Sequence, residues 1–177
     1  SVFEHDLNGH GEDVLLKQQE VLGSFSPMDY VSERLWVTAR DGARVPVSLV
    51  YRKGTTIDGK APLLLYGYGS YGHSIDPGFS SARLSLLDRG FVFAIAHIRG
   101  GEEMGREWYE TGRMEHKMNT FTDFIDCADH LVKERYTDPE RLFCMGGSAG
   151  GLLVGVVVNM RPELWKAAVA EVPFVDV

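Results

Sequence analysis

The chain has 177 residues, of which 44% are hydrophobic, and its 18 basic and 25 acidic side chains give a net charge of −7. This composition suffices for one globular core, and 20 glycines beside only 7 prolines exclude a disordered or low-complexity chain. The negative charge disfavours nucleic acid and anionic membrane surfaces as partners. No apolar run is long enough to span a bilayer, and no basic-then-apolar leader opens the chain, so we expect a soluble, cytoplasmic protein.

The two cysteines support the same compartment. Cys127 and Cys144 form no disulfide framework and have no metal-ligand spacing. A reducing environment is therefore the simpler assumption. We expect no metal and no organic cofactor.

The first 17 residues form a pattern of their own. An alternating run from Val2 to Leu7 precedes the turn-rich stretch NGHGED, and a second apolar segment runs from Val14 to Leu16. This pattern predicts a strand or hairpin that belongs to another structural unit. Because the final run AAVAEVPFVDV has no polar tail, we interpret both ends as cuts in a longer chain.

The next segment predicts the start of a sheet. Apolar residues alternate on both sides of Asp41-Gly42, a dipeptide that favours a tight turn, so residues 34–51 should form an antiparallel hairpin. The run APLLLYGYG that follows is continuously apolar, which is typical of a strand covered on both faces.

Helical and strand patterns then alternate to the end of the chain. This order predicts an α/β fold with a mostly parallel sheet and helices on both faces. The predicted helices are residues 80–89, 120–135 and 149–159, and the predicted strands are residues 91–98, 141–145 and 166–172.

A serine stands among small residues at the junction of one such strand and helix. Gly146, Ser148 and Gly150 match the G-x-S-x-G pattern, with a strand before it and a helix after it. This context predicts a nucleophile elbow that exposes Ser148 and directs the amide of Ala149 to a developing oxyanion. Glycines at such a turn also build phosphate loops or allow close helix packing, but neither a dinucleotide spacing nor a P-loop lysine is present.

Several longer stretches resemble one family. LLLYGYGSYG, IRGGEEMGREWYETGR, NTFTDF, MGGSAGGLLVG and NMRPELW are similar to the catalytic domain of the prolyl oligopeptidase family of serine peptidases. KQQEV, LWVTARDGARVPVSLVYRK, YGSYGHSID, RLSLLDRGF and VPFVDV resemble its oligopeptidase B subfamily. The resemblance implies an α/β-hydrolase domain capped by a β-propeller. Residues 1–17 would be the last propeller strand or its linker, and residues 18–177 the N-terminal portion of the peptidase domain.

The resemblance also assigns roles to individual residues. Ser148 would be the nucleophile, and the Ala149 amide and the Tyr68 hydroxyl would be the two oxyanion donors. Tyr71 would be a wall of the first substrate subsite. Asp76 would serve a subsite for a second basic residue, although Gly78 replaces its partner acid. Asp76 has an equal alternative as a turn residue before Pro77.

The triad is incomplete in this chain. In this fold the order is Ser, then Asp, then His, yet Asp176 is the only Asp after Ser148 and all six histidines (5, 10, 73, 97, 116 and 130) precede it. We therefore expect the isolated chain to be inactive and the general base to lie in a missing C-terminal part. The acidic pocket for basic substrates would lie there too.

Three alternatives compete with the hydrolysis of short basic peptides after Arg or Lys. The first is cleavage after Pro, since the specificity pockets for both kinds of substrate would lie beyond residue 177. An esterase of the same fold would carry an HGGG loop in place of YGYG. A non-catalytic binding module would have no need of an intact serine and both oxyanion donors.

Overall fold

A six-stranded mixed sheet organises the molecule, seen in a computed structural model that describes residues 1–9 and 11–175. His10, one of the six histidines, and Asp176, the only Asp after Ser148, lie outside the described residues. The strands of this sheet are β3 (Tyr30–Thr38), β4 (Arg44–Arg52), β5 (Leu63–Tyr66), β6 (Val92–Ala96), β7 (Leu142–Gly147) and β8 (Ala167–Glu171), in the order β3-β4-β6-β5-β7-β8.

The central strands run parallel, as the sequence predicts. β5 pairs in parallel with β6 and with β7, and β7 pairs in parallel with β8. The hairpin of β3 and β4 joins antiparallel to β6. The α/β-hydrolase type of sheet is thus confirmed, with its antiparallel hairpin at one side.

Within the described residues, four α-helices connect and cover the strands. They are α1 (Ser81–Leu87), α2 (Arg106–Glu110), α3 (Met118–Lys133) and α4 (Ala149–Met160). Three of them match predicted helices with shifted ends, whereas α2 was not predicted, because one turn and a half is too short for a periodic apolar pattern. Short 3₁₀ turns lie at Pro27–Asp29, Met114–His116, Pro139–Arg141 and Pro162–Leu164.

Alternation along β5 shows how both faces are covered. Leu63 and Leu65 are fully buried in the main core with α3 and α4, whose Phe124 and Leu153 are also fully buried. Leu64 and Tyr66 point the other way and pack with the smaller cluster beside α1. A strand that is apolar on both sides therefore joins two cores.

The β3–β4 turn lies at Asp41-Gly42, as the sequence predicts. The Ala39 amide donates to the Ala43 carbonyl at 2.8 Å, and the loop between them has three residues, with Gly42 at φ 90°. This is a common three-residue hairpin loop, and Gly42 takes the left-handed position that other residues avoid. The Asp41 carboxylate stabilises the loop by accepting the Ala43 amide at 3.1 Å.

Residues 1–17 lie outside the large sheet. β1 (Val2–Glu4) and β2 (Val14–Lys17) pair only with each other, antiparallel, and every residue of both strands is exposed. The domain boundary near residue 17 and the assignment of this segment to a propeller stay predictions.

β8 forms the opposite edge from β3. All five of its residues are exposed, whereas β3 has half-buried positions and the fully buried Val37. The strand predicted at residues 166–172 is present as β8.

Candidate active site

Ser148 stands at a strained turn between β7 and α4. Its backbone has φ 55° and ψ −114°, a combination that a non-glycine residue rarely adopts. The residue is exposed, and its hydroxyl makes no hydrogen bond to any residue the structure describes. The turn therefore presents a free hydroxyl at the carboxyl end of the parallel strands, which is the geometry expected of a nucleophile elbow.

The glycines of the motif are there because neighbouring backbone leaves them no room. A Cβ on Gly146 would overlap the Gly150 carbonyl. A Cβ on Gly150 would lie 2.7 Å from the Gly67 carbonyl oxygen, closer than real contacts allow. The elbow can pack against β5 only if both positions lack side chains.

The Ala149 amide is available to a ligand. Ala149 is the first residue of α4, and its N–H donates to no acceptor in the described part of the chain. It also lies at the positive end of a 12-residue helix. The amide next to Ser148 can thus donate to an oxygen that becomes negative during attack by Ser148.

Strand pairing brings Tyr68 beside the elbow. Tyr66 pairs with Met145, and the Gly67 amide donates to the Met145 carbonyl at 3.2 Å, so the residues that follow both strands leave the sheet side by side. A Cβ on Gly150 would lie 3.5 Å from the Tyr68 ring carbon Cδ2. The half-buried Tyr68 ring also packs edge-on against His73, with 5.4 Å between ring centres.

A groove of about 330 Å³ lies next to this corner. Tyr71 and Ala149 both line it, so the structure brings the predicted subsite wall and the predicted oxyanion amide together. Tyr71 has φ 58° and a side chain that is 72% exposed, as expected of a residue free to contact a ligand.

A lysine that the sequence did not single out lines the same groove. The Lys117 ammonium donates to the Gly69 carbonyl at 2.6 Å and to the Ser70 hydroxyl at 2.8 Å. Among the described residues no carboxylate lies within ion-pair distance of it. Burial lowers the pKa of Lys117 from 10.5 to about 8. No sequence motif indicates Lys117, because its contact with Ser70 is a tertiary contact between residues 47 positions apart.

Asp76 is not brought to the groove. It lies exposed in the loop before α1, and its carbonyl accepts the Gly78 amide at 2.8 Å, which fits the alternative role as a turn residue. The Gly78 carbonyl in turn accepts Arg83 Nη1 at 3.0 Å. A role of Asp76 in substrate binding stays a prediction.

The charged loop after β6 is paired locally. Arg99 is buried and bonds Asp123 through Nε at 2.8 Å and Nη2 at 2.6 Å, while its Nη1 lies 2.6 Å from Asp41. Hydrogen bonding to Asp123 raises the pKa of Arg99. These contacts tie the loop to α3 and to the hairpin turn.

His97 also has a local role. Its Nε2 is 2.8 Å from the Ser48 hydroxyl, and its Nδ1 is 3.6 Å from Glu103 Oε1. Glu103 Oε1 accepts the Ile75 amide at 3.0 Å. The buried ring therefore packs between β4 and the loop after β6 and does not bond Ser148.

Comparison with known proteins identifies the family. The model of the prolyl oligopeptidase family matches residues 77–177, more than half of the chain. The chain belongs to the prolyl oligopeptidase family. The match includes Ser148 and Ala149, so the elbow lies inside the region that defines this family.

Relatives agree with the family and show how much of them the chain spans. Dipeptidyl aminopeptidase BI of Pseudoxanthomonas mexicana is 60% identical over 168 residues, and Protease 2 of Moraxella lacunata is 53% identical over 167; each match covers 94% of this chain. The structure of oligopeptidase B from Trypanosoma brucei, closed and with covalently bound antipain, is 51% identical, covers 99% of this chain and 25% of that one, and has a TM-score of 0.92. The chain spans about a quarter of the length of these proteins, 23% and 24% of the two curated relatives.

The described residues form neither a membrane-spanning helix nor a cluster of metal ligands. Within residues 1–9 and 11–175, no helix has the length and apolar character to cross a membrane. In the same part of the chain, no three His, Cys, Asp or Glu side chains cluster as ligands for a metal ion.

Proposed function

We propose that this chain is the N-terminal part of the catalytic domain of a serine oligopeptidase that hydrolyses short peptides through an acyl-enzyme on Ser148. The observation that carries the proposal is the strained, exposed Ser148 beside the unbonded amide of Ala149. Family membership and the likeness to an oligopeptidase B with a covalently bound inhibitor support the reaction class. In this proposal residues 1–17 connect to a β-propeller, and the protein works in the cytoplasm.

The chemistry assigns a step to each residue. The Ser148 oxygen attacks the peptide carbonyl, and the carbonyl oxygen becomes an oxyanion that accepts hydrogen bonds from the Ala149 amide and the Tyr68 hydroxyl. The proton of Ser148 passes to a histidine, which this chain does not hold after Ser148. That histidine then protonates the leaving amine, and water releases the acyl group.

We further propose that substrates are short basic peptides cut after Arg or Lys. The likeness to Protease 2 and oligopeptidase B supports this specificity over cleavage after Pro. A buried cationic side chain needs carboxylates, and the part of the protein beyond this chain would supply them. Tyr71 would contact the first substrate side chain, and Asp76 a second basic one.

Replacement of Ser148 tests the reaction class. In the full-length enzyme, Ser148→Ala should lower kcat on a fluorogenic Arg peptide by roughly 10⁵- to 10⁶-fold, because no other residue can form the acyl-enzyme. It should also abolish labelling by a fluorophosphonate probe, measured as the mass added to the intact protein. Ser85→Ala, an exposed serine of α1, is the control and should keep both.

The outcomes test the reaction class and the substrate specificity separately. Labelling that persists in Ser148→Ala would refute the nucleophile. Labelling that is lost, together with cleavage of Pro peptides in preference to Arg peptides, would keep the nucleophile and refute the basic specificity. The 177-residue chain alone should stay unlabelled, because it lacks the general base.

A further inference from the structure

Lys117 holds the segment that carries the proposed oxyanion hydroxyl. It precedes α3, and its ammonium reaches across to the residues just after Tyr68, bonding the Gly69 carbonyl at 2.6 Å and the Ser70 hydroxyl at 2.8 Å. Ser70 is buried, whereas Tyr71 next to it is 72% exposed. Lys117 therefore binds the chain at the last buried residues before Tyr71, which is exposed in the groove.

The Gly69 carbonyl is enclosed on several sides. Besides Lys117, the buried Thr120 hydroxyl lies 3.4 Å from it, and a Cβ on Gly100 would overlap it. A carbonyl held in this way fixes the peptide plane between Gly69 and Ser70, one residue beyond Tyr68. This anchor therefore restrains the chain next to the corner where the Tyr68 ring approaches Gly150.

No carboxylate in the described part of the chain pairs with Lys117. Arg99, in the loop after β6, faces two carboxylates, whereas the described neighbours of Lys117 are a carbonyl, a hydroxyl and the Phe121 ring at 5.7 Å. The titratable and charged groups that line the groove with it are Tyr71, Tyr109 and Arg113, and Arg113 is paired with Glu110. A half-buried cation that no described carboxylate pairs costs free energy, so a gain elsewhere must offset that cost.

We propose that Lys117 is a positioning residue for the oxyanion hole, which holds the Tyr68 hydroxyl in place through Gly69 and adds positive potential to the groove in which the oxyanion forms. This inference rests on the proposed peptidase function. It assigns Lys117 no contact with the substrate. Its effect should appear in the transition state, where the oxygen is charged, and not in the ground state.

The test compares three variants of the full-length enzyme on one Arg peptide. Lys117→Met removes both hydrogen bonds and the charge, and should lower kcat by roughly 10- to 100-fold with KM nearly unchanged. Lys117→Arg keeps a charge and donors and should recover most of the lost rate. Lys133→Met, at an exposed lysine on the end of α3, is the matched control and should behave as wild type.

A peptide aldehyde of the same sequence gives the second readout. The aldehyde forms a hemiacetal whose oxygen occupies the oxyanion hole, so Lys117→Met should raise its Ki by about the same factor by which kcat falls. A purely structural lysine would lower the amount of folded enzyme and leave Ki per active site unchanged. Titration of active sites with the fluorophosphonate corrects kcat for any misfolded fraction.

The pH profile gives the third readout. Since the pKa of Lys117 is lowered to about 8, the wild type should lose the contribution of this charge as the pH rises through 8. Arginine stays charged, so Lys117→Arg should retain relatively more activity than wild type between pH 8 and 10.

The proposal would be overturned by an unchanged kcat in folded Lys117→Met, by a loss expressed only in KM, or by an unchanged aldehyde Ki. If Lys117→Met does not fold, identical alkaline profiles for wild type and Lys117→Arg would overturn it instead. Failure of the peptidase function itself would be seen in the wild type, before any variant is compared.

Discussion

Two cations at the same end of the sheet are held in opposite ways. Arg99, at the end of β6, is buried and bonds the buried carboxylate of Asp123 twice and the half-exposed Asp41 once. Lys117, before α3, is half-buried, and its hydrogen bonds within residues 1–9 and 11–175 go to neutral oxygens. Full pairing is typical of a cation that fixes the fold, and a cation left unpaired in a groove is typical of a functional position. Stability and activity should therefore respond differently at the two sites.

The largest effect on stability is expected at Asp123. Asp123→Asn leaves the buried Arg99 without its main counter-charge, which should destabilise the protein by about 3–5 kcal/mol. Urea denaturation measures the change in the free energy of unfolding. The control is Asp129→Asn. Asp129 lies on α3 like Asp123, but it pairs with Arg161 where its side chain is 43% exposed, so the loss should be at most about 1 kcal/mol. Equal losses in the two variants would contradict the distinction between buried and exposed pairs.

Asp41 should matter less, because its carboxylate is 43% exposed. Asp41→Asn keeps the loop but removes the charge that faces Arg99, so a loss of up to about 1 kcal/mol is expected. The hydrogen bond with Arg99 lowers the pKa of Asp41 below 3.8 in the folded state.

The pH dependence of that loss follows from the direction of the shift. A carboxyl whose pKa is lowered by folding contributes stability above its ordinary pKa, and the contribution disappears as the pH falls through the folded value. Wild type and Asp41→Asn should therefore differ at pH 7 and converge below pH 3.8. A difference that persists fully at pH 2 would show that the loop geometry, and not the charge, is responsible.

The smallest effect on stability is expected at Lys117. Lys117→Met removes two hydrogen bonds but also the cost of a half-buried ammonium, so the net change at pH 7 should be within about 1 kcal/mol. Because folding lowers the pKa of Lys117 from 10.5 to about 8, the wild type should gain stability relative to the variant as the pH rises between these values. A loss as large as that of Asp123→Asn would make Lys117 a structural cation like Arg99.

Much of this fold could be predicted from periodicity. The continuous apolar run of β5 and the spacing of Phe121, Phe124, Ile125 and Ala128 on α3 each correspond to a buried surface in the structure. Burial is set by residues close in sequence, so such patterns are visible without coordinates. The family resemblance was confirmed by the comparisons, and with it the fold class.

The site could be predicted only where the backbone demands particular residues. Ser148 was visible because Gly146 and Gly150 have no space for side chains, and that constraint appears in the sequence as a motif. Lys117 was not visible, because its partners are reached through tertiary packing and a lone lysine has no local signature. The turn at Asp41-Gly42 was visible in the sequence, whereas the contact of Asp41 with the distant Arg99 was not.

The backbone amide of Ser148 is hydrogen-bonded to the edge strand β8, so its hydrogen exchange can report on that edge. It donates to the carbonyl of Glu171 at 2.9 Å, and Glu171 is the last residue of β8, whose five residues are all exposed. The amide can exchange its hydrogen with solvent only when this edge strand separates from β7, so its exchange rate reports how often the edge opens. Slower exchange of the Ser148 amide when a ligand binds along β8 would thus show that the ligand also stabilises the backbone of the nucleophile.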